Sequence, residues 1–338
     1  MSNQVAVSIL VPYYNAAEQI GRCLDSLVNQ SLASTEIVAV DDGSEDGSRA
    51  IVDEYAARYP GKIISITKQH TGRSDTRNVA LAHATGEFIG FVDSDDWVDP
   101  EMYEKLLASA RSTGAELAIC DYAWMTETDP QPHLIHEGDP SEYGQSLAEN
   151  PRIFTYCHGS LCNKLYSRRL FGAGGAFFPV DLDFEDLATV FGLLARANRI
   201  EKVDGAPLYF YVQGGSVSIM AACDERFLQI VDALAFMDAG FREDGAFEYF
   251  SAELLRVNLL HLIFARYSDF FRSAPRGVRS RFIDRAFTHL DRDFPGWRRS
   301  NITESFQSHP AYVFVSTHKP LLKAYVALLG RGKYLKRP

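Results

Sequence analysis

A chain of 338 residues with 46% hydrophobic and 23% charged residues is ordinary globular material, sized for one large domain or a domain with a substantial extension; disordered and fibrous classes are excluded. Its net charge of −10 is uneven: residues 221–338 carry 18 Lys+Arg against 13 Asp+Glu, a net of +5, which leaves −15 on residues 1–220. That acidic first part excludes a nucleic acid lying across it unaided, because phosphate backbones demand cationic surface, and a phosphorylated ligand there would need a metal.

The N-terminal MSNQVAVSILVP has neither a basic n-region nor a cleavage site, so it is expected to be a first strand rather than a signal peptide. That strand covers Val5–Val11. Ile20, Cys23, Leu24, Leu27 and Val28 then recur at helical spacing. Glu36–Val40 is a second strand, Ser48–Tyr59 a helix, Lys62–Thr67 a strand, Arg73–Ala84 a helix and Phe88–Val92 a strand. Asp99 is expected to N-cap a helix with Pro100 at its first position, running to about Ser112. Leu117–Cys120 is a further strand, and the polar stretch 126–150 reads as a loop. Order returns with Gly159–Leu170, and a Gly-rich hinge spans Gly172–Gly175. Phe184, Leu187, Phe191 and Leu194 then share a helix face with Glu185 and Asp186 at its start. A strand at 208–218 opens into a Gly-Gly loop, and from Asp224 the chain is helical and Arg-rich. Strand–helix alternation with near-continuous apolar strands predicts an α/β fold whose parallel sheet is covered on both faces. We divide the chain at 1–220, with halves 1–122 and 123–220, and 221–338. Five scattered cysteines (Cys23, Cys120, Cys157, Cys162, Cys223) without a CxxC pair read as cytoplasmic free thiols.

Three strand ends carry chemistry: PYYN at 12–15, DDGS at 41–44 and DSDD at 93–96. Ligands of parallel sheets bind where the carboxyl ends of strands open into a crevice. Asp42, Ser44, Asp46, Gly47 and Asp53 mimic an EF-hand spacing, but a strand precedes them and the closing bidentate Glu is missing. Ser44 and Asp46 read instead as turn and cap residues. Two adjacent acids at the strand's very end are not explained that way; one could accept the N3–H of uracil or bond a ribose hydroxyl. Asp93, Asp95 and Asp96 repel one another unless a cation or a hydrogen-bond network sits among them. Oxygen donors at alternate positions suit Mg2+ or Mn2+ bridging a diphosphate. Glu185 and Asp186 alone are explained as first-turn acids on a helix dipole.

Together, SILVPYYNAAEQIGRCLDSLVNQ, EIVAVDDGSEDGS and HTGRSDTRNVALAHATGEFIGFVDSDDW strongly resemble family 2 glycosyltransferases of the GT-A fold. The likeness is close over Val5–Tyr122. It continues through CNKLY (Cys162–Tyr166), Glu185-Asp186 and YFYVQGGSVS to about residue 218. It implies a Rossmann-like, mainly parallel central sheet with helices on both faces, followed here by a helical C-terminal extension. It also implies an inverting transfer from a nucleotide-sugar, read here as a UDP-sugar. On the same ground Pro12, Tyr14, Asp41 and Asp42 line the uracil and ribose pocket. Gly72, Arg73, Arg77 and Asn78 approach base and diphosphate, and Asp93 and Ser94 meet the donor. Asp93 and Asp95 hold the metal, Mg2+ or Mn2+, with Asp96 a further candidate ligand; Asp186, preceded by Glu185, is the general base. One departure stands out: related sequences often place an Arg just after the Tyr-x-Tyr, where this chain has Val212-Gln213-Gly214-Gly215. Gln213, the Gly-Gly backbone or Lys164 would have to compensate. Gly86, Trp97 and Tyr166 read as structural, Trp97 being the aromatic that could instead face a sugar.

The chemistry fits on its own terms. Displacement at an anomeric carbon needs a deprotonated acceptor hydroxyl, a stabilised leaving diphosphate and correct positioning. A single displacement inverts the centre, so no second nucleophilic carboxylate is required. A nucleotidylyltransferase should carry a Gly-rich, basic loop after its first strand, which PYYN is not. A non-catalytic binding or scaffold subunit should have lost acids, yet Asp42, Asp93, Asp95 and Asp186 are all present.

Nine arginines fall between Arg266 and Arg299, and no acid follows Glu304. The segment from Lys319 sets Leu321, Leu322, Tyr325, Leu328 and Leu329 beside Lys319, Lys323, Arg331, Lys333, Lys336 and Arg337. It reads either as a basic helix packed on its own domain or as an amphipathic anchor on an anionic membrane face. No nucleic-acid motif accompanies it. The expectation is a cytoplasmic enzyme, peripheral on the membrane, acting on a glycan or lipid-linked glycan in cell-surface polysaccharide synthesis.

Overall fold

The computed structural model describes residues 4–126, 128–172, 177–213, 223–264, 268–305 and 310–329. The chain forms two compact units, one of residues 1–181 and 189–215, the other of residues 182–188 and 216–338.

The first unit alternates as its hydrophobic periods dictate: β1 (Val7–Tyr13), α1 (Ile20–Val28), β2 (Thr35–Asp41), α2 (Ser48–Arg58), β3 (Ile63–Thr67), α3 (Arg73–His83) and β4 (Phe88–Phe91). There follow β5 (Trp97–Val98), α4 (Met102–Thr113), β6 (Leu117–Cys120), β7 (Tyr122–Thr126), β8 (His133–Ile135), α5 (Ile153–Tyr156) and β9 (Lys164–Ser167). Last come α6 (Glu185–Arg196), whose first turn belongs to the second unit, β10 (Ile200–Val203) and β11 (Tyr209–Gln213). Seven strands make the main sheet in the order β10-β6-β9-β4-β1-β2-β3. All pair in parallel except β9, which runs antiparallel to both β4 and β6. Every residue of β1 and β2 is buried, as expected of strands covered on both faces.

Helix α1 buries Ile20, Cys23, Leu24, Leu27 and Val28, its whole apolar stripe. Helix α3 differs. Its buried face includes Ser74, Thr76, Arg77 and Asn78, a polar inner side that needs partners from neighbouring strand ends.

Three sequence expectations change. β1 continues through Pro12 to Tyr13, because its pairing with β4 ends at Leu10 and the missing N–H falls beyond it. α4 starts at Met102 with Glu101 at the cap position and no side-chain cap; Asp99 instead accepts the Glu101 N–H at 2.9 Å in the turn before it. The stretch 126–150 is not wholly a loop, since β8 pairs antiparallel with β7.

The second unit is helical: α7 (Gln229–Glu243), α8 (Ser251–Leu259), which leads into a π-helical turn at Leu260–Phe264, α9 (Ser268–Ser273), α10 (Arg276–Asp293), α11 (Asn301–Ser305), α12 (Pro310–Thr317) and α13 (Lys319–Leu329). Phe227 stacks on Phe270 at 4.0 Å and meets Phe282 at 5.5 Å, forming an aromatic core. Buried His289 joins α7 to α10, with Asp238 at 3.2 Å and Asp293 at 3.0 Å. Arg242 and Arg292 also pair with Asp293, so the group balances its own charge as an interhelical clamp. Much of the arginine excess is neutralised within the unit: Arg281 pairs with Glu225, Arg285 with Asp232 and Arg298 with Asp291. Lys319 and Lys323 both reach Asp284, at 2.6 and 2.5 Å. Leu322 and Val326 pack inward, while Phe314, Leu321 and Leu328 stay exposed. Arg331, Lys333, Lys336 and Arg337 lie outside the described residues. Among the described residues no helix is long and apolar enough to cross a membrane.

Gly90 in β4 is fixed by close approach: a Cβ there would lie 2.4 Å from the ring of buried Tyr103. Gly90→Ala should therefore destabilise the fold by about 1–3 kcal/mol in urea unfolding, through overpacking. Gly21→Ala, in α1 with nothing within 4 Å, should be neutral or stabilising by about 0.5–1 kcal/mol. Equal midpoints for the two variants would contradict this packing.

Candidate active site

Because β4, β1 and β2 are parallel neighbours, their carboxyl ends lie side by side. At the β2 end, the Asp42 carboxylate collects three donors, from Lys68, Thr71 and Gly72, with His70 beside it and hydrogen-bonded to the Asp42 backbone oxygen at 3.1 Å. Lys68 and the Thr71 N–H (3.0 Å) meet Oδ1; the Gly72 N–H (3.0 Å) meets Oδ2. Burial works against ionisation of Asp42, but Lys68 and the backbone N–H groups outweigh it and hold its pKa below the usual carboxylate range. Asp42 so folds residues 68–72 into the amino end of α3, where Gly72 takes φ +94°. Tyr14 stacks on His70 with ring centroids 4.3 Å apart. A flat aromatic wall stands at the strand ends.

Beside it, Asp41 accepts the Ser44 N–H at 2.9 Å on Oδ1, while buried Oδ2 finds no hydrogen-bond partner among the described residues. A buried carboxylate oxygen without a donor is costly, and a ligand N–H or hydroxyl would relieve it. The EF-hand-like spacing is a backbone clamp. Asn15, Ala16 and Ala17 donate their N–H groups to Ser44 Oγ (2.9 Å), Ser48 Oγ (2.7 Å) and Asp46 Oδ2 (3.0 Å). These bonds hold the loop after β1, where Asn15 sits at φ +48°.

At the β4 end the three acids part company. Asp93 pairs with Arg77 at 2.8 Å, and the Arg77 side chain is only 2% exposed. Burial would raise the Asp93 pKa, yet Arg77 and then Arg73 carry it below the usual range. Asp96 turns inward: Tyr209 Oη donates to Oδ2 at 2.5 Å and the Val212 N–H to Oδ1 at 2.8 Å. Burial, then Asp95 and Asp93, push its pKa well above the ordinary range. The expectation that Asp96 shares a metal is therefore corrected; both its oxygens are committed to β11, and Asp93, Asp95 and Asp96 do not gather into one cluster. Asp95 stays half-buried, its pKa raised by burial and then by Asp93. Its backbone carbonyl is fixed by Arg22 at 2.6 Å. Asp93 and Asp95 thus remain as an oxygen donor pair, one kept ionised and one whose ionisation a divalent cation would favour, which fits Mg2+ or Mn2+.

Other sequence candidates fall as follows. Pro12 is buried in β1, and Ser94 is half-exposed between the two acids. Arg73 is exposed at the first position of α3. Asn78 commits its amide to the backbone, accepting from Phe177 N (2.9 Å) and Phe178 N (2.8 Å) and donating to Phe178 O (2.9 Å), and so ties residues 177–178 to α3. Lys164 is no substitute for the missing arginine, because its buried ammonium is held by His158 O (3.0 Å), Ser160 O (2.8 Å) and Asn163 Oδ1 (2.7 Å). Gln213 is exposed at the end of β11, and Gly214 and Gly215, like hinge residues 173–175, lie outside the described residues. Trp97 stacks flat on Phe210 at 3.8 Å and is a packing residue. Gly86 is structural as read, since a Cβ would lie 2.6 Å from Ser8 N. Tyr166 is buried and donates to Leu161 O.

In the second unit, Glu185 is buried and Asp186 half-exposed at the start of α6, Asp186 accepting the Leu187 N–H at 2.7 Å. Phe184, just before them, holds φ +63°, a conformation bulky residues rarely adopt. The sequence reading missed Lys68, His70 and Tyr209. Their signals were present: Lys68 follows the last residue of β3, a fourth strand end, and Tyr209 opens YFY.

Residues 8–174 match the model of the glycosyl transferase family 2. The putative glycosyltransferase EpsH of Bacillus subtilis is 33% identical over 268 residues, 76% of this chain and 75% of EpsH. TarS of Staphylococcus aureus, a poly(ribitol-phosphate) beta-N-acetylglucosaminyltransferase, is 27% identical over 233 residues, 68% of this chain but 39% of its own length. Its solved 1–349 portion in complex with UDP-GlcNAc has a TM-score of 0.73 at 20% identity, covering 98% of this chain and 93% of that one, a likeness of fold. A mannosyltransferase of Pyrobaculum calidifontis, solved with GDP-Man and Mn2+, matches at 0.51 and 16% identity over 96% of this chain and 87% of its own. With its loaded strand ends, its mainly parallel sheet and these relatives, the chain belongs to the glycosyl transferase family 2 and is a glycosyltransferase of the GT-A fold.

Proposed function

We propose that the protein is a metal-dependent inverting transferase that moves a hexosyl or N-acetylhexosaminyl group from a UDP-sugar to a hydroxyl of a glycan or lipid-linked glycan. The observation that carries this reading is the separation of roles among Asp93, Asp95 and Asp96 beside the Tyr14–His70 wall. The wall suits a stacked base, and the orphaned Asp41 Oδ2 suits an N–H or ribose hydroxyl donor. The amino end of α3, with Arg73, favours a diphosphate there. Asp93 and Asp95 would hold Mg2+ or Mn2+, which when bound neutralises charge on the departing diphosphate. The UDP-GlcNAc complex of TarS supports a UDP-linked donor. Of the acidic pair, only Asp186 is accessible, so it, and not buried Glu185, takes the proton of the acceptor hydroxyl. In-line attack inverts the anomeric centre, so an α-linked donor yields a β-linkage.

The acceptor polymer is read as a cell-surface one, with the enzyme in the cytoplasm and touching the anionic membrane face through α12 and α13. Exposed Phe314, Leu321 and Leu328, followed by four basic residues after residue 330, support that contact.

Asp95→Ala and Asp186→Asn should each lower kcat by about 10²–10⁴-fold. Calorimetry with UDP and Mn2+ should show weakened binding for Asp95→Ala alone. Full turnover by Asp186→Asn would remove the base assignment. Separately, Leu321→Glu with Leu328→Glu should abolish sedimentation with anionic phospholipid vesicles; unchanged sedimentation would remove the membrane contact.

A further inference from the structure

A second sheet runs β5-β11-β7-β8, and its two faces differ. Tyr209 lies opposite Tyr122 and Tyr211 opposite Trp124, while His133 of β8 lies opposite Trp124 on its other side. Residues paired across a ladder share a face, and neighbours along a strand alternate. Tyr209, Tyr211, Tyr122, Trp124 and His133 therefore stand on one side. The opposite side is closed: Ala123, Met125 and Val212 are buried, and Phe210 is stacked on Trp97.

The aromatic side is closed only at one end. Tyr209 is buried beneath the acid loop, donating to Asp96 and accepting the Asp93 N–H at 3.3 Å. Farther along, Tyr122 and Trp124 are half-exposed and Tyr211 is 37% exposed. These rings are already held in place. Trp124 stacks on His133 at 4.1 Å, His133 is held by Asp129 at 3.1 Å, and the Tyr122 ring lies 5.5 Å from that of His158.

We propose that this aromatic face is the acceptor subsite and that its ligand is a neutral saccharide, an assignment that rests on the transferase reading above. A pyranose offers a flat C–H face to an aromatic ring and a rim of hydroxyls to Tyr and His groups, and rings fixed in advance bind it at low entropic cost. The face is continuous with the reaction centre through Tyr209. Charge selects the class of acceptor. Of the seven acidic residues in 121–158, Asp121 is paired with Lys202, Glu142 with Arg152 and Glu137 is buried, so the like charge a phosphate-bearing polymer would meet at this face is that of exposed Asp129 beside His133. On this point the chain parts from the poly(ribitol-phosphate) acceptor in the name of TarS.

The test measures transfer from the productive UDP-sugar to neutral p-nitrophenyl glycosides and to a polyol-phosphate oligomer, with UDP–Mn2+ affinity measured in parallel. Trp124→Ala should raise KM for the neutral glycoside by about tenfold, the worth of one stacked ring. It should leave UDP affinity unchanged, and Trp124→Phe should recover most of the loss. An unaltered glycoside KM in both Trp124→Ala and Tyr122→Ala, with UDP still bound, would overturn the subsite. A polyol-phosphate oligomer used better than every neutral glycoside would overturn the neutral class. If the unmodified protein fails to bind UDP at all, the donor reading fails instead, which keeps the two failures distinguishable.

Discussion

Three carboxylates within four residues at the end of a buried strand repel one another, and the first unit is arranged around how that repulsion is relieved. Each acid has a different answer. Asp93 is held ionised by Arg77, a cation brought into the interior on the polar face of α3. Asp96 is withdrawn from the mouth and tied to Tyr209 and Val212, where burial favours its protonated form. Asp95 is left half-buried with a raised pKa, the state that a divalent cation relieves.

This arrangement needs its neighbours. Arg77 reaches Asp93 only because α3 begins where Asp42 sets it, through bonds to Lys68, His70, Thr71 and Gly72. Asn78, one residue on, pins 177–178 behind the same helix. Tyr209 links the acid loop to the second sheet, so the loop's shape depends on β11 as well as β4.

Much of this was legible in the sequence because β1, β2, β4 and β6 are near-continuous apolar runs and α1 carries a clean 3.6-residue stripe. The loaded ends of β1, β2 and β4 were visible as polar residues abruptly following such runs. The roles of individual acids were not. Asp93, Asp95 and Asp96 are chemically identical in a sequence, and only partners 16 and 113 residues away, Arg77 and Tyr209, tell Asp93 and Asp96 apart. Asn78 and Lys164 are polar residues in matching motifs, and the sequence does not show that both turn inward to satisfy backbone groups. The β7–β8 hairpin was hidden because β7 turns aromatic rings to its half-exposed face, so burial that alternates cleanly leaves no apolar–polar alternation in the sequence. In the C-terminal part the Arg-rich composition overstated the free charge, since some partners lie far along the chain, as Arg281 with Glu225 and Arg285 with Asp232 show.

The central claim is that the acids at the end of β4 serve a nucleotide-sugar donor through a divalent cation. It is tested most directly by measuring nucleotide diphosphate release from a panel of UDP-, GDP- and dTDP-sugars, with Mn2+ and again with EDTA. Turnover of a UDP-sugar with Mn2+ should fall to background in EDTA. Undiminished turnover in EDTA, or consumption of a GDP- or dTDP-sugar in preference to every UDP-sugar, would contradict it.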